Sequence, residues 1–308
     1  MCIRDRDGEA IALGNIGSVQ ERLSRYSDAL ASNRMALALF RQLGDRDGEA
    51  RTLDNIGSVQ SDLSQYSDAL ASHQTALALF RQLGDRDGEA IALGNIGNAQ
   101  QSLGRYSDAL ASHQTSLALF RELGGRDGEA IARMSIGNAQ ESLGRYSDAL
   151  ASHQTALALF RQLGDRESEA IAHMNIGNVQ EDLSQYAGAL ASYQAALALF
   201  RELGDRDGEA NALTNLGIAQ NDLGRYADAL TSHQAALALY REVGDRDGEA
   251  TALDGVGLSE WHLGAFDAAL SAYRQALVLY QQIGKATDAT RVSANIKLIE
   301  AKQPPPKG

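Results

Sequence analysis

The sequence predicts an all-α solenoid of seven stacked helix-turn-helix repeats, closed by a C-terminal capping helix. Three observations predict it. The hexapeptide Asp-Arg-Asp-Gly-Glu-Ala recurs at residues 45–50, 85–90, 205–210 and 245–250, always at multiples of 40, and self-similarity at such a period marks a repeat array. Each period holds two apolar stripes at helical spacing. All three prolines, Pro304, Pro305 and Pro306, fall in the tail, so no helix interior is interrupted.

Residues 1–4 read as a non-repeat start. The repeats then run 5–44, 45–84, 85–124, 125–164, 165–204, 205–244 and 245–284, and the third and fourth differ at only seven positions. In the second repeat Ala50, Leu53, Ile56, Gln60 and Leu63 form one stripe. Tyr66, Ala69, Leu70, His73, Ala76, Leu77 and Phe80 form the next, a 3.6-residue pattern that no strand alternation reproduces. Gly44 followed by Asp45 is a stop and a start, because glycine takes the left-handed C-terminal conformation and aspartate caps the next helix. Ser64, or Gly104 one repeat later, marks the tighter turn inside the repeat. Residues 285–303 carry Ala289, Val292, Ile296 and Ile299 in one stripe and read as the capping helix, and 304–308 as a flexible tail. A hairpin of two helices of about 18 residues cannot bury its own stripe, so stability comes from stacking. Seven repeats then make a curved rod on the order of 70 Å long with one inner face.

Composition narrows the class. The 308 residues are 44% hydrophobic and 22% charged, with a net charge of −12, which is folded rather than disordered. A single cysteine, Cys2, closes no internal disulfide. No run is long enough to span a membrane or serve as a secretory signal, which points to the cytoplasm.

Leu53, Ile56, Gly57, Tyr66, Ala69, Ala76 and Leu77 match the pattern of the tetratricopeptide repeat, and the chain resembles that family from residue 5 to 284. The resemblance implies antiparallel helix pairs in a right-handed superhelix. Departures are a period of 40 rather than 34, Gln60 and His73 where aromatics are usual, and Arg81 near the expected proline. They look like the longer-helix subtype of spindle-orienting polarity adaptors, kinesin light chains and the sensor arms of bacterial signalling ATPases and transcription regulators.

Opposite the first stripe lie residues 51, 54, 55, 58 and 62, the expected inner face. Position 54 varies most, reading Gly14, Asp54, Gly94, Met134, Met174, Thr214 and Asp254. Position 55 is a ladder of Asn15, Asn55, Asn95, Asn175 and Asn215, broken by Ser135 and Gly255, and Asn98, Asn138 and Asn178 widen it one turn on. A carboxamide donates and accepts, so such a row can hold the backbone of an extended peptide, and asparagines of this helix contact peptide in the adaptors that the chain resembles. The same amides could instead bond the neighbouring repeat and order the stack. Asp54, Asp62 and Asp222 make the face acidic, and residues before 285 carry −15 against +3 from 285 onward. That disfavours nucleic acid and favours a neutral to basic peptide. Trp261, the only tryptophan, reads either as an anchor for a partner or as cover for the capping helix.

His73, His113, His153 and His233 occupy one position in different repeats, expected about 10 Å apart, and read as packed residues rather than metal ligands. The Asp-Arg-Asp-Gly-Glu loops read as helix caps rather than calcium loops, with Arg46 and Glu49 a weak surface pair. No phosphate loop, metalloprotease helix or nucleophile motif is present. The reading is therefore a non-enzymatic scaffold without cofactor or metal that binds a protein or peptide along the inner face, away from nucleic acid and membrane. The second reading is a sensor arm covalently linked to an upstream effector domain. Asp5 enters the repeat in phase with no cap before it, which fits a longer protein.

Overall fold

The computed structural model describes residues 3–302, with side chains from residue 6. Met1, Cys2 and the residues from 303 onward, including the expected tail, lie outside the described residues. The chain divides into two units, one up to Leu159 and one from Phe160.

The N-terminal unit holds α1 (Ile3–Arg22), α2 (Tyr26–Leu43), α3 (Arg46–Asp62), α4 (Tyr66–Leu83), α5 (Arg86–Ser102), α6 (Tyr106–Leu123), α7 (Arg126–Ser142) and most of α8 (Tyr146–Leu163). The C-terminal unit holds α9 (Arg166–Asp182), α10 (Tyr186–Leu203), α11 (Arg206–Asp222), α12 (Tyr226–Val243), α13 (Arg246–His262), α14 (Phe266–Gln282) and α15 (Ala286–Glu300). These are fifteen helices without a strand among the described residues, as the two stripes per period require. Helix α1 begins at Ile3, so it takes in two residues of the expected non-repeat start.

The punctuation works as the residue types dictate. Gly44 sits at φ 70° and its amide, with that of Asp45, closes the last turn of α2 on Arg41 and Phe40 carbonyls. The Asp45 carboxylate then accepts from the Gly48 amide at 3.0 Å, and Asp85, Asp165 and Asp205 cap α5, α9 and α11 in the same way. Ser64 makes the turn inside the repeat at φ 58°, where other repeats use glycine.

Successive helices from α1 to α7, and from α9 to α15, pack on one another. In the N-terminal unit Leu53, Ile56, Leu70, Leu77 and Phe80 join Leu93 and Ile96 of the following repeat in one buried cluster, which is the stacking that a lone hairpin lacks. A polar bond, partly or fully buried, ties the two helices of a pair: Ser72 Oγ donates to Gln60 Oε1 at 2.7 Å, and the same bond recurs from Ser32 to Gln20, Ser112 to Gln100, Ser152 to Gln140, Ser192 to Gln180 and Ser232 to Gln220. Gln60, which stands where an aromatic is usual, is retained as the acceptor.

Two expectations are corrected. Arg46 and Glu49 are not a surface pair: the Glu49 side chain is 9% exposed and takes Arg41 Nε at 2.8 Å as well as Arg46 at 3.0 Å. The carboxylate thus bolts the end of α2 to the start of α3, and Glu169 and Glu209 are held by two arginines each in the C-terminal unit. Trp261 is not an exposed anchor. It is 1% exposed, edge-on to Tyr273, in the cluster formed with Val292, Ile296 and Ile299 of α15. The last repeat needs a lid, and Trp261 fills the space beneath it. Arg291 of α15 fastens that lid to Asp254 of α13 at 2.6 Å.

Candidate functional site

The odd-numbered helices bring equivalent residues side by side. In the N-terminal unit α1, α3, α5 and α7 touch their odd neighbours directly, and in the C-terminal unit α11 touches α13. In α3 the stripe residues Ala50, Leu53 and Ile56 are buried, while Arg51 and Asp62 are exposed and Asp54, Asn55 and Ser58 half-buried; the copies are not uniform, since Ile16 of α1 is exposed and Thr214, at position 54, is buried.

The predicted amides divide into two groups there. In the N-terminal unit Asn15 and Asn98 are exposed, and Asn55 and Asn138 are half-buried. Asn95 is half-buried and donates from Nδ2 to Asp54 Oδ2 of the preceding repeat at 3.0 Å. The other oxygen of Asp54 lies 2.6 Å from His73 Nδ1, so this carboxylate is already engaged on both sides. In the C-terminal unit Asn215 donates to Asn178 Oδ1 at 3.1 Å, and the Tyr193 hydroxyl lies 2.9 Å from both Asn178 Oδ1 and Glu181 Oε2. Asn175 is half-buried. Asn95 and Asn215 therefore tie neighbouring repeats together, while Asn15 and Asn55 make no side-chain hydrogen bond among the described residues.

Sequence reasoning missed a recurrent exposed apolar position. Position 51 is Ile11, Ile91, Ile131 and Ile171 in four repeats, and all four are exposed, Ile131 at 54%. The signal was their recurrence at a position that packing does not use. It also missed why Gly57 recurs: a Cβ there would lie 2.6 Å from the His73 ring, so the glycine seats the histidine of the same repeat.

Acidic groups gather at the C-terminal ends of the odd helices. Asp62 is exposed and Asp222 half-buried. Partial burial pushes Glu21 above the ordinary carboxylate value, and Asp62 adds to it. Burial also raises Asp62 and Asp222. Glu181 is raised by burial and by Asp222 and Asp182, against the Tyr193 hydrogen bond. A nearby positive charge would relieve each of these groups.

Each unit holds a cavity lined in part by odd-helix residues. One of about 580 Å³ lies in the C-terminal unit among Asp222, His233, Gly255, Tyr273 and Tyr280. One of about 200 Å³ lies in the N-terminal unit over Gly94 and His113. Among the described residues no group of three His, Cys, Asp or Glu side chains could hold a metal ion, and no helix is long and apolar enough to cross a membrane. The four repeat histidines are buried core residues, as their spacing predicts.

Helix pairs of this length, each seated on the next and exposing one set of equivalent positions, define a helical repeat protein. The tetratricopeptide repeat pattern matches residues 8–82, 88–162, 168–242 and 210–282, and the chain belongs to that family. No curated protein matches the chain in sequence. Among solved structures it is similar to a Rap protein complexed with Competence and Sporulation Factor, at 15% identity and TM-score 0.60, covering 96% of this chain and 98% of that one. It is also similar to a signal transduction ATPase with a tetratricopeptide repeat sensor, PH0952 from Pyrococcus horikoshii, at 13% identity and TM-score 0.69. That match covers 96% of this chain and 48% of the other, so the chain spans about half of that protein. A kinesin light chain-like protein of Podosopora anserina gives 9% identity and TM-score 0.55 over 64% of this chain and 97% of that one. At these identities the likeness is one of fold.

Proposed function

We propose that the chain is a non-enzymatic protein-interaction scaffold that holds a neutral to basic peptide segment along the face of its odd helices. The observation that carries this reading is the set of exposed isoleucines Ile11, Ile91 and Ile131 at one position of the odd helices of the N-terminal unit, where Asn15 and Asn55 make no side-chain hydrogen bond among the described residues. Apolar side chains supply contact area, and the amides take the backbone of an extended segment. The raised carboxylates at the helix ends select positive charge over negative. The Rap protein complexed with a factor supports the reading by analogy of fold. A second reading, that the array is the sensor arm of a larger signalling protein, is supported by the ATPase with a repeat sensor, and sequencing the gene around this chain tests it by the presence or absence of an effector domain.

The scaffold reading is tested by selecting peptides on the full chain and measuring affinity by fluorescence anisotropy. Asn55→Ala and Ile11→Glu each weaken capture by about tenfold or more with the melting curve unchanged. Asn95→Ala, which breaks the bond to Asp54, lowers the melting temperature instead. Capture indifferent to both face variants contradicts the reading.

A further inference from the structure

Four repeats place a histidine at the same point of their second helix, and two of them form an internal comparison. His73 and His113 are each seated against a glycine of their own repeat, Gly57 and Gly97. His73 has its acceptor: Asp54 Oδ1 stands 2.6 Å from Nδ1, and Asp54 Oδ2 takes Asn95 of the next repeat at 3.0 Å. One repeat on, the counterpart of Asp54 is Gly94 and the counterpart of Asn95 is Ser135. His113 is 1% exposed and neither ring nitrogen has a partner.

Next to that ring lies the cavity of about 200 Å³, lined by His113, Gly94, Ser135, Asn95, Asn98 and Ile131 among others, with no charged side chain in its wall. A Cβ on Gly94 would meet nothing nearer than Ser116 Oγ at 3.6 Å, so there is room for an aspartate-like group. Burial pushes His113 down to about 4, so the ring is neutral and carries one buried N–H in want of an acceptor. A volume of this size is below that of a pocket for a whole drug-sized ligand and suits a single functional group.

We propose that this cavity receives the carboxylate of a ligand, seated between His113 and Ser135 as the Asp54 carboxylate is seated between His73 and Asn95. The carboxylate belongs either to a small free acid or to an acidic side chain of a bound peptide. The site therefore goes beyond the scaffold reading and does not depend on it.

The test is an imidazole nitrogen spectrum of the full chain, labelled at histidine and titrated with propionate, with propionamide and with a glutamate-containing tripeptide. Propionate or the tripeptide shifts the His113 signals saturably, and propionamide binds about tenfold more weakly. Saturation by propionate as tight as by the tripeptide assigns a free acid, and tighter binding of the tripeptide assigns a side chain. Gly94→Asp supplies the carboxylate from within: its His113 signals move to resemble those of His73, its melting temperature rises, and propionate no longer shifts them. Ser135→Ala, which leaves the cavity open, weakens propionate severalfold. The proposal is overturned if neither acid shifts His113, if propionamide binds as well as propionate, or if Gly94→Asp binds propionate as before. Because Asn55 is not in this cavity, loss of peptide capture in Asn55→Ala and failure of propionate to bind are separable results.

Discussion

Glu49 is the residue whose surroundings decide most at the smallest scale. Burial alone would raise its pKa, but hydrogen bonds from Arg41 and Arg46 hold it below the ordinary value of 4.5, and Glu169 and Glu209 are held down in the same way. A carboxylate with a lowered folded-state pKa stabilises the fold above its unfolded value and loses that contribution as pH falls through the folded one. Glu49→Gln therefore costs about 1–3 kcal/mol near neutral pH, and the gap between native and variant melting curves narrows as pH falls below the ordinary carboxylate range. A gap that does not depend on pH would remove the ion bolt from the account. The sequence shows Arg46 and Glu49 three apart on one turn, so the local pair is legible. Arg41 sits in the preceding repeat across a turn, and its approach exists only once the chain has turned at Gly44. His73 is the converse case: its place in an apolar stripe announces burial, while its acceptor Asp54, nineteen residues back, does not stand out from the variable positions around it.

At the scale of the element, the helices begin and end where their capping residues place them. Asp45, Asp85, Asp165, Asp205 and Asp245 each accept backbone amides at the start of an odd helix. Gly125 at the start of α7 has no side chain to do so. Its φ of −75° suits any residue, and an added Cβ would approach Phe120 Cδ1 at 3.3 Å, a contact that a small shift of the ring relieves. Gly125→Asp is accordingly expected to stabilise the chain by about 1 kcal/mol, read as a raised midpoint in urea with the slope unchanged. The boundaries were legible because these caps are local chemistry. The capping helix α15 was legible from its stripe, and of the two readings of Trp261 the fold adopts the cover for that helix rather than the anchor. A helical wheel places residue 261 on the open side of an ordinary repeat, and only the docking of α15 through Val292 and Arg291 turns that side into core.

For the molecule as a whole, repetition made the architecture readable and left the choice of surface harder to see. Copies of one packed pair need not differ to stack, so the positions that do differ stand out. Among them, however, drift, inter-repeat bonding and recognition look alike in sequence. The amide ladder shows the ambiguity, since Asn95 and Asn215 bond the preceding repeat while Asn55, at the same repeat position, does not. The central claim is that partners are taken on the face of the odd helices. Hydrogen exchange on the full chain, with and without a captured basic peptide, tests it most directly. Slowed exchange concentrated in α1, α3, α5 and α7, with α2, α4 and α6 unchanged, is the predicted result, and protection confined to the even helices would contradict it.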